Sequence, residues 1–176
     1  NNNDDLHTEY ENYNNTSATY DDFRRPIGVK FFQDAFNKNA KSRGMTLSEM
    51  KFLDAGCGTG THMSEFGHQF QSVTGLEFND GMISQAERKG LHVRQGSICD
   101  MNMFKDHEFD IAITTQVLHH LVDISIDDTE SRFVNIVAAC NEVSRCINEN
   151  GCWIISRSFL KQFSHTHTHT HTHTHT

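Results

Sequence analysis

Short apolar runs alternate with amphipathic stretches through the middle of the chain. The apolar runs predict strands at residues 51–55, 72–76, 91–95, 109–114 and 152–156. The amphipathic stretches between the first three strands predict helices at residues 61–70 and 81–89. Strands and helices that alternate in this way are typical of a parallel sheet covered by helices. The pattern therefore predicts an α/β fold, a mostly parallel sheet with helices on both faces in a three-layer sandwich.

An amphipathic helix is expected ahead of the first strand. Asp21 or Asp22 can cap this helix, Pro26 falls in its first turn, and Gly44 ends it. Residues 1–21 are rich in Asn, Asp, Glu and Tyr, and they contain too few aliphatic side chains to bury a face. We therefore expect residues 1–21 to form a polar, mobile arm.

A longer helix is expected between the fourth and fifth strands. Asp127 and Glu130 are placed as a capping box at its start, and residues 148–151 end it. Its apolar stripe is formed by residues at helical spacing, namely Phe133, Ile136, Val137, Cys140 and Ile147. This stripe is predicted to cover one face of the sheet.

The chain finishes in a strict alternation of His and Thr over residues 165–176. Such a run has neither an apolar face nor a helical period, so residues 161–176 are expected to form a low-complexity tail. Histidines two residues apart hold a metal ion only loosely, and no metal site is assigned. A repeated CA dinucleotide in the coding sequence would produce the same alternation. We therefore expect that the domain at residues 22–160 is incomplete at its carboxyl end and lacks its last strands.

The composition argues against several classes of function. A net charge of −8, from 15 Lys and Arg against 23 Asp and Glu, leaves no basic stripe for nucleic acid. No apolar run is long enough for a membrane span, and the polar start has no signal-peptide core. The five cysteines contain no CxxC pair and are expected to be reduced. We expect a cytoplasmic protein that binds neither nucleic acid nor membranes.

The segment FLDAGCGTG carries the strongest chemical signal. An apolar strand ends at Asp54 and is followed by glycines at alternate positions, Gly56, Gly58 and Gly60. Glycines there let the backbone turn sharply and approach a ligand closely, although a plain strand-to-helix turn can have the same residues. The dinucleotide-binding pattern G-x-G-x-x-G would place its third glycine one residue later. A carboxylate beside the turn repels a pyrophosphate and attracts a cationic ligand.

The run LDAGCGTGTH resembles motif I of class I S-adenosylmethionine-dependent methyltransferases, in particular the methyltransferase type 11 group. The similarity extends from about Tyr20 to Ser156, in the family's order. It implies a Rossmann-like fold with S-adenosylmethionine as the cofactor. It also implies that the glycine loop passes under the methionine part of the cofactor, with Asp54 near the amino group. The cofactor-binding residues implied in this segment are Asp54, Gly56, Cys57, Gly58 and Gly60.

An acidic residue, Glu77, closes the second predicted strand. A carboxylate at this place can accept hydrogen bonds from both ribose hydroxyls, although an acid that leaves a strand is often only solvated. The resemblance assigns the ribose to Glu77 and implies that Phe78 packs on the adenine. In the turn after the third strand, the family commonly has an acid that hydrogen-bonds the adenine, and this chain has Ser97. The Ile98 N–H is the implied donor to a ring nitrogen, and Asp100 can instead cap the next turn.

The run FDIAITTQVLHHL resembles motif IV of the same family. It is expected to bring residues 114–116 to the methyl end of the cofactor, and Thr115 is assigned to cofactor binding. His119 and His120 can act as general bases because imidazole titrates near neutral pH. Neighbouring residues on a helix point in different directions, so we interpret both histidines as supports of the loop and assign no catalytic residue.

An upstream segment with Tyr20, Arg24, Arg25 and Pro26 resembles one that in some relatives folds over the cofactor. An arginine there would suit the cofactor's carboxylate, and an exposed helix start is the alternative.

The resemblance implies methyl transfer from S-adenosylmethionine to an acceptor, expected to be a small molecule. Transfer from a sulfonium mainly requires that the acceptor is aimed and water excluded, so it needs neither a nucleophilic side chain nor a metal. One alternative is a non-catalytic cofactor-binding or scaffold protein. Another is an NAD-dependent oxidoreductase, which would need the wider glycine spacing. Because last strands are expected to be missing, we expect partial cofactor binding and weak or absent turnover.

Overall fold

The computed structural model describes residue 26, residues 28–122 and residues 125–156. Within these ranges one sheet contains β1 Lys51–Ala55, β2 Ser72–Glu77, β3 Val93–Gln95, β4 Phe109–Thr115 and β5 Ile147–Ser156. Neighbouring strands are parallel, in the order β3-β2-β1-β4-β5. The predicted parallel α/β sheet is therefore confirmed.

One helix precedes β1, and the other described helices lie between successive strands of the chain. They are α1 Val29–Ser42, α2 Thr61–Phe66, α3 Asp80–Arg88, α4 Thr129–Arg132 and α5 Val134–Cys146. Short 3-10 turns cover Leu47–Glu49, Gly67–Gln69 and Leu118–Leu121. Among the described residues, no helix combines the length and the apolar character needed to cross a membrane.

Two apolar clusters lie on opposite faces of the sheet, because successive strand residues alternate between the faces. On one face, sheet residues pack with α5 in a cluster that includes Leu53, Ala55, Ala112, Ala139, Val143 and Cys146. On the other face, sheet residues pack with α1 and α2 in a cluster that includes Phe52, Ile111, Ile113, Phe32, Phe36 and Phe66. The three-layer arrangement is therefore confirmed.

The helix before β1 begins later than predicted. α1 starts at Val29 after Gly28, which has a left-handed φ of 77°, so Pro26 precedes the helix instead of lying in its first turn. The predicted end is confirmed, since the helix stops at Ser42 and Gly44 has a φ of 65°. Several predicted features lie outside the described residues. They are the helix caps Asp21 and Asp22, the upstream segment apart from Pro26, the arm at residues 1–21 and the tail at residues 161–176.

The predicted long helix is divided, and its predicted start and stripe are wrong. Asp128 caps the short α4 by accepting the Ser131 N–H at 2.8 Å, and Asp127 does not. Phe133 separates α4 from α5, and it is 39% exposed. α5 buries the smaller residues Ala139, Val143 and Cys146, while Val137 is 56% exposed. The prediction followed the larger apolar side chains, whereas small side chains let the helix approach the sheet closely.

Candidate functional site

The glycine loop joins β1 to α2 at the carboxyl edge of the sheet. Gly56, Gly58 and Gly60 all have left-handed φ values, 85°, 54° and 78°. A Cβ on Gly56 would lie 2.3 Å from Val117 Cγ2, and one on Gly60 would lie 2.2 Å from Leu91 Cδ1. Around Gly58 a Cβ would meet no heavy atom of the described residues within 4 Å. Two of the glycines therefore allow packing within the protein, and Gly58 borders open space that a ligand can approach.

Hydrogen bonds attach this loop to its neighbours. The N–H groups of Gly56 and Cys57 both donate to the Leu76 carbonyl, at 2.8 and 3.0 Å. Lys89, after α3, donates from Nζ to the Thr59 carbonyl at 2.8 Å. Lys89 was not predicted as a site residue, because a basic residue after a helix ordinarily indicates only a helix end. The loop is thus held in place by β2 and by the end of α3.

Asp54 is the most unusual ionisable group of the site. Its side chain is fully buried, and neither carboxylate oxygen has a hydrogen-bond partner among the described residues. Burial, and secondarily the charge of Glu77, raise the pKa of Asp54 to about 8. A buried carboxyl group without a partner favours a proton or a nearby cation. Asp54 therefore suits a cationic ligand group at the start of the glycine loop.

Cys57 lies beside this group but carries no charge. Burial, followed by the charges of Asp54 and Glu77, raises the pKa of its thiol. A Cβ on Gly75 of β2 would lie 2.6 Å from Cys57 Sγ, so the sulfur fills the space above the neighbouring strand. Cys57 contributes volume and backbone groups to the loop.

Glu77 links the end of β2 to the glycine loop. Its Oε2 accepts the Gly58 N–H at 2.9 Å, and its Oε1 accepts the N–H groups of Phe78 and Asn79, each at 2.9 Å. An ionised carboxylate offers about four acceptor positions, so one position on Oε2 remains for a ribose hydroxyl. To accept hydrogen bonds from both ribose hydroxyls, Glu77 would have to lose one of its three backbone hydrogen bonds. Phe78 is 67% exposed and can stack against a flat ring.

The turn after β3 lies next to Glu77, because the Gly96 N–H donates to the Glu77 carbonyl at 3.0 Å. Ser97 Oγ accepts the Cys99 N–H at 3.1 Å, which leaves the hydroxyl hydrogen to be donated elsewhere. The Ile98 side chain is buried in the core, so this residue can offer a ligand only its backbone. Both predicted adenine contacts are therefore close to Glu77.

Two adjacent threonines at the end of β4 differ in their burial. Thr114 is fully buried, and its Oγ1 accepts the Trp153 Nε1–H at 2.9 Å. The hydroxyl of Thr114 therefore bonds to β5 within the core, and Thr114 can offer a ligand only its backbone. Thr115 is half-buried at the carboxyl end of the strand, on the opposite face.

The backbone after β4 bends toward the glycine loop. Gln116 has a left-handed φ of 57°, and its N–H donates to the Ser156 carbonyl at 2.9 Å. Such strain in a residue other than glycine is common at ligand sites. The following residue, Val117, packs against Gly56. The structure thus brings the end of β4 and the glycine loop together.

His119 and His120 follow on the 3-10 turn Leu118–Leu121, where both are exposed. Their ring centroids lie 3.9 Å apart, with an interplanar angle of 39°. Both imidazoles are therefore near the carboxyl edge of the sheet.

Comparison with known proteins identifies the family. The family profile described as a methyltransferase domain matches residues 53–155. A curated relative, the dTDP-3-amino-3,4,6-trideoxy-alpha-D-glucopyranose N,N-dimethyltransferase of Streptomyces venezuelae, is 29% identical over 86 residues. That match covers 48% of this chain, and the chain spans 36% of the relative's length.

Solved structures share the fold. A sugar N-methyltransferase of a Streptoalloteichus species superposes with a TM-score of 0.59 at 18% identity, over 85% of this chain and 53% of that one. An amino pentose methyltransferase of Micromonospora echinaspora, with S-adenosylmethionine bound, gives a TM-score of 0.58 at 20% identity, over 77% of this chain and 53% of that one. Since the family profile spans more than half of the chain, the chain belongs to the class I S-adenosylmethionine-dependent methyltransferases of type 11.

Proposed function

We propose that this chain binds S-adenosylmethionine at the carboxyl edge of its sheet and transfers the methyl group to a small-molecule acceptor. The observation that carries the proposal is the buried, unpartnered carboxyl group of Asp54 at the start of a loop that opens at Gly58. S-adenosylmethionine supplies an electrophilic methyl group on a sulfonium sulfur, together with an ammonium group. The chemistry of the site fits this molecule, because an acidic group without a partner lies beside an open backbone cradle.

Each predicted residue has a role in the proposal. Asp54 pairs with the ammonium group, Glu77 accepts a ribose hydroxyl, and Phe78 stacks on the adenine. Ser97 and the Ile98 N–H bind the adenine edge, and Thr115 lies at the methyl end. The backbone under the methionine part is provided by Gly56, Cys57, Gly58 and Gly60. None of these groups is assigned a covalent or proton-transfer role toward the acceptor.

A small-molecule acceptor is favoured by the relatives. The curated relative is named for an amino sugar nucleotide, and the two solved structures act on sugars or an amino pentose. The acidic chain, with its net charge of −8, also disfavours a nucleic acid acceptor. We place the protein in the cytoplasm, without a membrane partner.

Calorimetric titration with S-adenosylhomocysteine tests binding separately from turnover. We expect saturable binding that Glu77→Gln weakens by about 10- to 100-fold, because a hydrogen bond to a charged group contributes about 1.5–3 kcal/mol. Glu87→Gln is the matched control, since Glu87 is an exposed glutamate on α3. A folded protein that gives no heat with this ligand would refute the proposed function. Equal affinities for the two variants would refute the role of Glu77.

Methyl transfer is then measured with radiolabelled S-adenosylmethionine and a panel of amino sugars and simple amines. Label in a small-molecule product supports the proposed reaction. Binding without transfer to any member of the panel, or to protein extracts, would favour a non-catalytic cofactor-binding protein.

A further inference from the structure

Asp54 is buried in a way that makes its negative charge costly. Its side chain is 0% exposed, and within the part of the chain that the structure describes neither oxygen receives a hydrogen bond. In the sheet it lies opposite Gly75 of β2 and Ile113 of β4, and neither of these residues has a side-chain donor. A carboxylate in such surroundings takes up a proton unless a cation replaces it.

Among the described residues, no basic side chain donates a hydrogen bond to either oxygen of Asp54. Glu77, at the end of β2, adds a negative charge that raises the pKa of Asp54 further after the effect of burial. The thiol of Cys57 stays neutral, since burial, Asp54 and Glu77 all raise its pKa. Lys89 directs its ammonium group to the Thr59 carbonyl. The other titratable side chains on the helices and turn nearby are Lys30, Asp34, Lys38 and Lys41 on α1, His62 and Glu65 on α2, and His119 and His120 after β4.

We propose that a ligand bearing an ammonium group displaces one proton from Asp54 when it binds, so that this residue selects cationic ligands. The inference rests on the proposed function. In the exchange, the O–H bond of the Asp54 carboxyl group breaks and its proton passes to the buffer. The carboxylate then accepts an N–H of the ligand's ammonium group, and the net charge at this position of the pocket stays the same. A ligand without an ammonium group leaves the proton on Asp54.

This exchange distinguishes the whole cofactor from its fragments. S-adenosylhomocysteine carries the ammonium group, whereas 5′-methylthioadenosine has the same adenine and ribose and a thioether but no amino acid part. Both can use Glu77 and Phe78, and only the first can replace the proton. The affinity for S-adenosylhomocysteine should therefore depend on pH, and the affinity for methylthioadenosine should not.

Proton release is measured by calorimetry at about pH 7 in phosphate and in Tris, which differ in ionisation enthalpy. With S-adenosylhomocysteine we expect about one proton to be released per site, and with methylthioadenosine none. Between about pH 6 and 7, the dissociation constant for S-adenosylhomocysteine should fall by nearly tenfold, because the ligand's amino group stays charged in this range. Asp54→Asn should abolish the proton release and flatten the pH dependence. The exposed Asp34→Asn on α1 is the control and should behave like the unmodified protein.

The outcomes separate the two proposals. If folded protein binds neither ligand, the proposed function fails. If S-adenosylhomocysteine binds without proton release, or if methylthioadenosine releases as many protons, the role of Asp54 is refuted while cofactor binding stands. Proton release that persists in Asp54→Asn would refute it as well. Should Asp54→Asn not fold, the comparison of the two ligands on the unmodified protein decides.

Discussion

Substituting Gly56 by alanine tests whether the glycine loop is built against Val117. The new Cβ would lie 2.3, 3.2 and 3.3 Å from three side-chain carbons of Val117, and the backbone φ of 85° is unfavourable for alanine. The left-handed backbone costs about 1–2 kcal/mol. Overpacking against a stiff β-branched side chain adds about 1–3 kcal/mol. We expect Gly56→Ala to lower the free energy of unfolding by about 2–5 kcal/mol.

The assay is urea unfolding followed by the fluorescence of Trp153, the only tryptophan. Gly58→Ala is the matched control, because its φ is 54° but its Cβ meets no atom within 4 Å. Gly58→Ala should lower the free energy of unfolding only by the backbone cost of about 1–2 kcal/mol. It should also weaken the binding of S-adenosylhomocysteine, because the new methyl group fills the open space. Adding Val117→Ala to Gly56→Ala should reduce the steric loss. Equal destabilisation by Gly56→Ala and Gly58→Ala would refute the contact with Val117.

Two predictions concern pH and the buried aspartates. Burial by itself raises the pKa of Asp110, but hydrogen bonds from the Lys51 N–H, Arg43 and Asn148, with the charge of Arg43, lower it overall. Its stabilising contribution is therefore present above its unfolded pKa of about 3.9 and is lost as pH falls through the lower folded value. Arg43→Ala should lower the free energy of unfolding by about 3 kcal/mol at neutral pH, and urea unfolding should then show a smaller loss of stability at acid pH. An unchanged loss of stability at acid pH would contradict the pairing of Arg43 with Asp110. For Asp54, whose folded pKa is about 8, stability is full below about pH 4 and is lost as pH rises through about 8. Asp54→Asn should then be more stable than the unmodified protein near about pH 8 by thermal melting, and a less stable variant would contradict the unpaired carboxyl group.

The fold was largely predictable because the strands of a buried parallel sheet are short apolar runs with clear ends. The bounds of β1 agree with the prediction, and β4 is one residue longer. β3 is shorter than predicted, because Leu91 packs against Gly60 instead of extending the strand. The buried face of α5 was misplaced because the predicted stripe followed Phe133 and Val137, which are exposed, whereas the helix buries Ala139, Val143 and Cys146. Ile147, the last residue of that stripe, begins β5 instead.

The bend of the glycine loop was predictable because residue type alone restricts the backbone there. Three glycines at alternate positions favour a sharp turn, and all three have left-handed φ values. The hydrogen-bond partners within the site could not be predicted, since they depend on tertiary contacts. Nothing in the sequence indicates that Glu77 caps the Gly58 N–H, or that Gln116 adopts a left-handed φ.

Two aspartates on neighbouring strands support the carboxyl edge of the sheet as the proposed ligand site. Asp110 lies at the amino end of β4 and pairs with Arg43 at 2.7 Å, while the Lys51 N–H donates to it at 2.8 Å. Asp54 lies near the carboxyl end of β1, is buried more completely, and has no hydrogen-bond partner in residues 28–122 and 125–156. Burying an acid is tolerated in folding when its charge is compensated, so the same residue type is stabilising at one edge and costly at the other. Stability alone would favour a neutral side chain at position 54. The cost is explained if the missing partner is a cation that arrives with the ligand, which is why the carboxyl edge, and Asp54 within it, is the part of this chain to test first.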